Sequence, residues 1–359
     1  MKAVVRRAGR LVCDDIPAPQ PGAGQVLLRS LACGICGSDL HALHHADRLA
    51  TMMSRMGFED VLDPRRDIVF GHEFCGEILD YGPGTSARLP TGTRVVAMPL
   101  AFGPGGLETI GFSNRFPGAF AENFVATADV LLPVPNGLPA EQAAMVEPMA
   151  VGIHGVAQAT LDRDSVAMVI GCGPIGLAAI AALKAQGVAP IIAADFSPTR
   201  RALAMKIGAD IVVDPRAQSP HDQWPKWDVP PSVAEHGIAR LTGRSLRKAV
   251  VFECVGVPGI LQSLLESVPP EAQIIVLGAC MEMDRLEPVL AINKQLNLKF
   301  ASFYSPEEFS LSLHRIANGI TDVAPLITST VGRSDVAAAF ESLRDPEAQT
   351  KIIVQPQRA

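Results

Sequence analysis

The 359-residue sequence has no excess of basic charge, no run of like charges, no internal repeat and no low-complexity tract. A formal net charge of −6 argues against a nucleic-acid partner, which selects a basic face. Without charge runs there is no interaction tail. The start, Met1-Lys2-Ala3-Val4-Val5, lacks the n-region and apolar h-region of a secretory signal. One uncharged stretch, Val166 to Leu183, is about long enough for a bilayer. Gly171, Gly173, Pro174 and Gly176 interrupt it, and Asp164 and Lys184 bracket it, so it reads as a buried strand, turn and helix. These absences predict a soluble, cytoplasmic protein with no membrane partner. The seven cysteines are odd in number and scattered, which fits reduced thiols rather than a disulfide framework. Cys13, Cys75, Cys172, Cys254 and Cys280 sit in apolar or glycine-rich surroundings and read as small buried residues. Only Cys33 and Cys36 form a close pair, and no second C-x-x-C exists to close a four-cysteine site.

With 48% apolar and 19% charged residues the chain can bury a large core, and its length suits two domains. To about residue 155 it reads as short strands and turns, a β-rich domain with few helices. The pattern then changes: strands at Ser165–Ile170, Pro190–Ala194, Asp210–Val213, Ala249–Phe252 and Gln273–Leu277 alternate with apolar helical stretches. One helix starts at Pro174, and another at Pro198 behind a Ser197 cap. That alternation predicts an α/β fold with a doubly wound parallel sheet. The proline-punctuated stretch from Asp214 to Lys248 holds room for one helix. The predicted division is 1–155 for the β-rich domain, 156–296 for the alternating strand–helix domain, and 297–359 returning to the first.

Gly171-Cys172-Gly173-Pro174-Ile175-Gly176 matches G-x-G-x-x-G between a predicted strand and a predicted helix. The first glycine permits the tight turn, the second lets backbone approach a pyrophosphate, and the third lets helix pack on strand. The helix N-terminus then offers free N–H groups to phosphate. Asp195, nineteen positions after Gly176, ends the next strand, where a carboxylate accepts from ribose hydroxyls and repels a 2′-phosphate. NAD is therefore expected over NADP, although Arg200 and Arg201 lie close by.

Two thiols, a hydroxyl, a carboxylate and an imidazole lie within Cys33 to His41. Gly71-His72-Glu73 and Val146-Glu147-Pro148 supply further donors. One thiolate, one imidazole and one or two carboxylates would leave a tetrahedral zinc with an open position, the catalytic arrangement.

The sequence resembles the medium-chain, zinc-containing alcohol and polyol dehydrogenases, in particular their sorbitol- and threonine-dehydrogenase-like branch. The resemblance spans nearly the whole chain. It rests on Gly34-Ile35-Cys36-Gly37-Ser38-Asp39-Leu40-His41, Gly71-His72-Glu73, Gly118-Ala119-Phe120-Ala121-Glu122, Glu147-Pro148 with Val151-Gly152-Ile153-His154, the glycine fingerprint, and Lys351-Ile352-Ile353-Val354. It implies a GroES-like catalytic domain, a Rossmann domain and a substrate cleft between them. It implies zinc on Cys36 and His72, completed by Glu147 or Glu73, with Asp39 orienting the imidazole. Ser38 would touch the substrate hydroxyl and His41 would end a proton relay. Cys254, Val255, Gly278, Ala279 and Lys351, with Arg200, would contact the cofactor. The implied reaction is reversible NAD-linked oxidation of a primary or secondary alcohol, by a homo-oligomer, dimer or tetramer. Polyol, sugar or threonine oxidation is the alternative within that chemistry. A metal-free quinone-reductase-like or non-catalytic nucleotide-binding protein is the alternative outside it.

Two departures stand out. No cysteine lies between Cys75 and Cys172, so the lobe that holds a structural zinc in many relatives is missing, its place taken by Phe102-Gly103-Pro104-Gly105-Gly106. His72 follows Cys36 by 36 positions, roughly ten more than the resemblance leads one to expect. The extra residues, within 44–67, include Met52, Met53, Met56 and Phe58. They are expected to form either a surface helix or an apolar wall of the substrate pocket.

Overall fold

The computed structural model describes residues 1–103, 106–135 and 137–359. They form two compact units, Met1–Glu147 with Phe309–Ala359, and Pro148–Glu308.

In the first unit, seven strands make one sheet in the order Ile327–Val331, Lys351–Val354, Gln25–Gly34, Glu73–Tyr81, Arg94–Ala97 and Leu131–Pro133, with Asn123–Thr127 also pairing Gln25–Gly34. The alternating burial of Gln25–Gly34 sends Val26, Leu28 and Cys33 into a core that includes Phe70, Phe120 and Phe124. The end of that strand positions the site. Gly34 pairs with Glu73 on one side and with Ile353 on the other, so three distant segments meet there.

Directly after this strand runs the helix Gly37–Arg55, with Cys36 as its N-cap and a kink at His45. The inserted residues lengthen this helix. Met53, Val61 and Leu62 join the core, whereas Met52, Met56 and Phe58 stay exposed. Arg6 donates to the carbonyl of Pro64, and Asn114 accepts from the Asp63 amide, so the insert's far end is tied down. Of the segment standing in place of the cysteine lobe, Pro104 and Gly105 lie outside the described residues. Leu100–Gly103 and Gly106–Thr109 pair as antiparallel strands. Buried Glu108 holds them by accepting from Ser113 and from Arg115 at 2.7 Å.

The second unit is a six-stranded parallel sheet in the order Ile211–Val213, Ile191–Ala194, Ser165–Ile170, Lys248–Glu253, Gln273–Val276 and Asn297–Phe300. Its central strand, Ser165–Ile170, is buried throughout, as a parallel strand covered on both faces must be. The predicted boundaries at 155 and 297 shift for physical reasons. Asn297–Phe300 pairs with Gln273–Val276 and so belongs to this sheet. At the other end, Gly152 lies against Ala178 and Gly155 against Leu277, both in this unit. The stretch 214–248 holds a 3-10 helix, Pro220–Trp227, and an α-helix, Val233–Leu241. Among the described residues no helix is long and apolar enough to cross a membrane.

Contrary to the reading of buried residues, Cys254 and Cys280 are half-buried, and Cys13 is exposed because its strand, Arg10–Asp15, pairs among the described residues only with Lys2–Arg7. Burial pushes the Cys75 thiol up to about 12 and also raises Cys33 and Cys172. Protonated, enclosed thiols are poor nucleophiles. In the folded protein an aromatic disulfide reagent at pH 8 is expected to modify Cys13 first and to reach Cys33, Cys75 and Cys172 only in denaturant. Rapid labelling of Cys75 without denaturant, mapped by peptide mass, would contradict this.

Candidate functional site

The first cluster assembles where the strand Gln25–Gly34 ends. Sidechain donor atoms of Cys36, His72 and Glu73 all lie within 4.8 Å of one another. Asp39, fully buried on the first turn of the helix, ties two of these residues together. Its Oδ2 accepts from the Cys36 amide at 3.0 Å, while its Oδ1 faces His72 Nδ1 at 3.4 Å. Burial opposes protonation of His72, but the facing Asp39 and Cys36 outweigh it and hold its pKa well above the ordinary value. With Nδ1 turned to Asp39, Nε2 is the nitrogen left for a ligand. The Phe112 ring stacks beside the imidazole with centroids 5.1 Å apart.

Asp39 Oδ1 and His72 Nδ1 are buried without a hydrogen bond of normal length. That loose pair, beside a converging sulfur, nitrogen and oxygen donor, fits an ion that would draw the imidazole into alignment. The donor set suits zinc, with a position left for substrate.

Lys351 carries the main correction to the sequence reading. Its ammonium is 1% exposed and donates to Glu73 Oε1 at 2.8 Å, Glu73 Oε2 at 2.7 Å and the Ile35 carbonyl at 3.0 Å. Burial works against that charge, yet Glu73, Cys36 and Glu147 raise its pKa. Gly34 makes the pair possible: a Cβ there would overlap Glu73 Oε2. Sequence motifs placed Lys351 at the start of a final strand, but only the register beside Gly34 brings it to the metal donors.

Of the two carboxylates expected to complete the metal set, Glu73 is in the donor cluster and Glu147 is not. Glu147 is buried in the first turn of Val146–Ala157 and acts on the site through its charge near Lys351. Ser38 is half-buried and His41 exposed, three residues apart on the first turns of Gly37–Arg55.

The second cluster is the glycine turn. Gly171 has φ of +90°, and a Cβ there would lie 2.8 Å from Val255 Cγ2 and 3.2 Å from Cys254 backbone. A Cβ on Gly176 would overlap the Gly171 carbonyl oxygen. At Gly173, by contrast, the nearest atom to a Cβ is Arg200 Nη1 at 3.9 Å. Open space over a helix N-terminus, with Pro174 at its first turn, Ile175 next and a guanidinium beside it, suits a pyrophosphate. Arg200 Nε is buried with no partner, which marks the same place. Asp195 is held by the amides of Cys172 and Ser197 at 2.7 and 2.8 Å. Arg201 turns away, to Asp214 and to the Asp195 and Phe196 carbonyls.

Comparison with known proteins decides the family. Residues 22–136 match the alcohol dehydrogenase GroES-like domain, and residues 174–318 match the zinc-binding dehydrogenase domain. The chain is 31% identical over 352 residues to (R,R)-butanediol dehydrogenase of Bacillus subtilis (strain 168), covering 96% of each chain. It belongs to the medium-chain, zinc-containing alcohol dehydrogenase family. Sorbitol dehydrogenase of Gallus gallus is 27% identical, across 99% of this chain and 96% of that one. The crystal structure of 2R,3R-butanediol dehydrogenase from Bacillus subtilis superposes with a TM-score of 0.78 at 28% identity, over 99% of both chains. As a member of this family the protein is an oxidoreductase acting on alcohols with zinc and a nicotinamide cofactor, and the GroES-like plus Rossmann architecture agrees with the two sheets. The metal-free and non-catalytic alternatives are not favoured by these relatives or by the convergence of Cys36, His72 and Glu73.

Proposed function

We propose that the protein is an NAD-dependent dehydrogenase of small secondary alcohols, working with a single zinc. The observation that carries this reading is the convergence of Cys36, His72 and Glu73 within 4.8 Å. Bound there, zinc would supply Lewis acidity at the alcohol oxygen, and the nicotinamide would accept the hydride. The chain's own groups do the rest. Asp39 fixes the His72 ring, and the Lys351 ammonium holds the Glu73 carboxylate in place. Ser38 accepts the hydroxyl proton as it gives its own up toward His41, one turn along the helix, which passes the proton to solvent. Burial, with His45 nearby, keeps His41 below its ordinary pKa, so it is neutral and can accept a proton at pH 7. Glu147 adds negative charge near the metal donors.

Asp195, with Arg201 already engaged by Asp214 and by the Asp195 and Phe196 carbonyls, supports NAD over NADP. Phe112 against His72 supports an apolar flank on the substrate. This favours a diol such as 2,3-butanediol over a hexitol. A homo-oligomer, dimer or tetramer, is supported by the edge strand Asn297–Phe300, whose exposed Phe300 gives a second copy an apolar surface.

The test is metal analysis of the fresh protein with an alcohol panel, run with NAD and NADP in parallel and read by absorbance of the reduced cofactor. About one zinc per chain is expected. NAD should be favoured by about tenfold or more, and Asp195→Ala should narrow that gap. Protein purified without zinc, or faster turnover of sorbitol than of 2,3-butanediol, would overturn the corresponding part.

A further inference from the structure

In the second unit, one buried acid does something the glycine fingerprint does not. Glu253 is the last residue of Lys248–Glu253, a strand otherwise apolar after its first residue, and it is 1% exposed. Its Oε1 accepts from the amides of Val255 at 2.6 Å and Gly256 at 2.9 Å. The Gly278 amide on the following strand's loop lies near enough to lower the carboxylate's pKa, while its 2.9 Å hydrogen bond goes to the Glu253 carbonyl. Among the described residues no lysine or arginine forms a salt bridge with it. Burial raises its pKa and the three amides oppose that rise, so backbone dipoles stand in for a counter-ion.

Around this carboxylate two loops meet backbone to backbone. Gly256 has φ of +69°, and a Cβ on it would lie 2.7 Å from the Ala279 nitrogen and 2.7 Å from the Gly278 carbonyl carbon. A Cβ on Gly278 would lie 2.6 Å from Glu253 Oε2 and 2.7 Å from the Gly256 Cα. The main chain adds to the closure, with the amides of Leu277 and Gly278 donating to the Glu253 carbonyl at 2.8 and 2.9 Å. Loops 254–256 and 277–279 therefore share one fastener, and both glycines are small because that fastener leaves no room.

The topology gives these loops their meaning. Strand order reverses between Ser165–Ile170 and Lys248–Glu253, and a dinucleotide lies across the C-terminal ends at such a reversal. Gly171–Gly176 and Asp195 serve the adenosine and pyrophosphate side. The loops after Lys248–Glu253 and Gln273–Val276 are then left for the nicotinamide half.

We propose that Glu253 is a positioning residue that clamps these two loops into one platform for the nicotinamide half of the cofactor. It touches neither ring nor substrate. It acts through the amides of Val255, Gly256 and Gly278. The inference rests on the dinucleotide reading above.

The decisive experiment compares the zinc-loaded wild type with Glu253→Gln and Glu253→Asp. Calorimetry gives the affinity for AMP and for NADH, and steady-state kinetics give KM for NAD and kcat separately. In Glu253→Gln the amide nitrogen presents a donor to a donor, so at least one loop is released. NADH affinity is expected to fall, and KM for NAD to rise, by about tenfold, while AMP affinity stays within about twofold. Glu253→Asp keeps the charge on a shorter stem and is expected to fall between the two. Unchanged NADH affinity in Glu253→Gln overturns the proposal. Equal losses of AMP and NADH affinity also overturn it, because they mean general loosening of the unit. Should Glu253→Gln fail to fold, Glu253→Asp carries the same comparison. A wild type that binds neither AMP nor NADH would defeat the dinucleotide reading itself, a result distinct from either failure of Glu253.

Discussion

Cys36→Ser is expected to lose the zinc and, with it, roughly a thousandfold or more of kcat/KM, while the fold stays intact. The two effects separate because of where Cys36 sits. Its backbone caps the helix Gly37–Arg55, and the bond from its amide to Asp39 Oδ2 does not involve the sulfur. Serine is among the better residues at an N-cap, so the helix start should be preserved. Cys36 is also only half-buried, so replacing sulfur by oxygen opens no large cavity in the core. What changes is the donor: a neutral hydroxyl takes the place of a thiolate. His72 and Glu73 then remain as two donors, and Glu73 is already engaged by Lys351. Metal content by mass spectrometry should fall well below one per chain. Thermal melting of the two zinc-free proteins should agree to within about 1 kcal/mol of stability. A variant that keeps its zinc and most of its activity would show that the sulfur is not a ligand.

How much of this was legible beforehand depended on how local each feature is. The glycine turn is local: strand, glycines, helix and Asp195 fall within a short stretch, and φ of +90° at Gly171 and the overlap at Gly176 follow from the motif's own physics. The parallel sheet was legible for the same reason, since alternation of strand and helix needs no knowledge of distant partners. Cys36 and His72 were legible as donor types, although their meeting depends on the pairing of Gly34 with Glu73. Lys351 was misread. The family resemblance implied a cofactor contact for it, and only strand register carries it to Glu73 and away from solvent. Cys13 was misjudged in the opposite sense, because its two-stranded sheet leaves that face open. Glu253 was passed over, although a signal was present: a lone acid closing the apolar run Ala249-Val250-Val251-Phe252, just before Cys254-Val255-Gly256. An acid in that place needs donors, and the only ones near in sequence are loop amides.

The register that misled the reading of Lys351 also sets the largest stability effect. Lys351→Met, measured without zinc, is expected to destabilise the protein by about 3–5 kcal/mol, because it strands the Glu73 carboxylate in a buried site. Glu73 is 1% exposed and loses the ammonium from both of its oxygens; the Ile35 carbonyl loses its donor as well. Methionine fills the space of the lysine stem, so packing loss contributes little and the uncompensated charge dominates. A melting temperature lower by roughly 10 °C follows for a unit of this size. Two controls identify the cause. Lys351→Met combined with Glu73→Gln removes the charge and should recover a large part of the loss, a coupling that independent sites would not show. Added zinc should raise the melting temperature of Lys351→Met by more than it raises that of the wild type, because the released carboxylate is free to take the metal. A zinc-free variant melting within about 2 °C of the wild type would mean that Glu73 finds water or a proton at little cost. Weaker NADH binding at unchanged stability would instead restore Lys351 to the cofactor side. Stability lost, coupled to Glu73 and partly returned by zinc, is the pattern that only a lysine buried against a metal-site carboxylate produces.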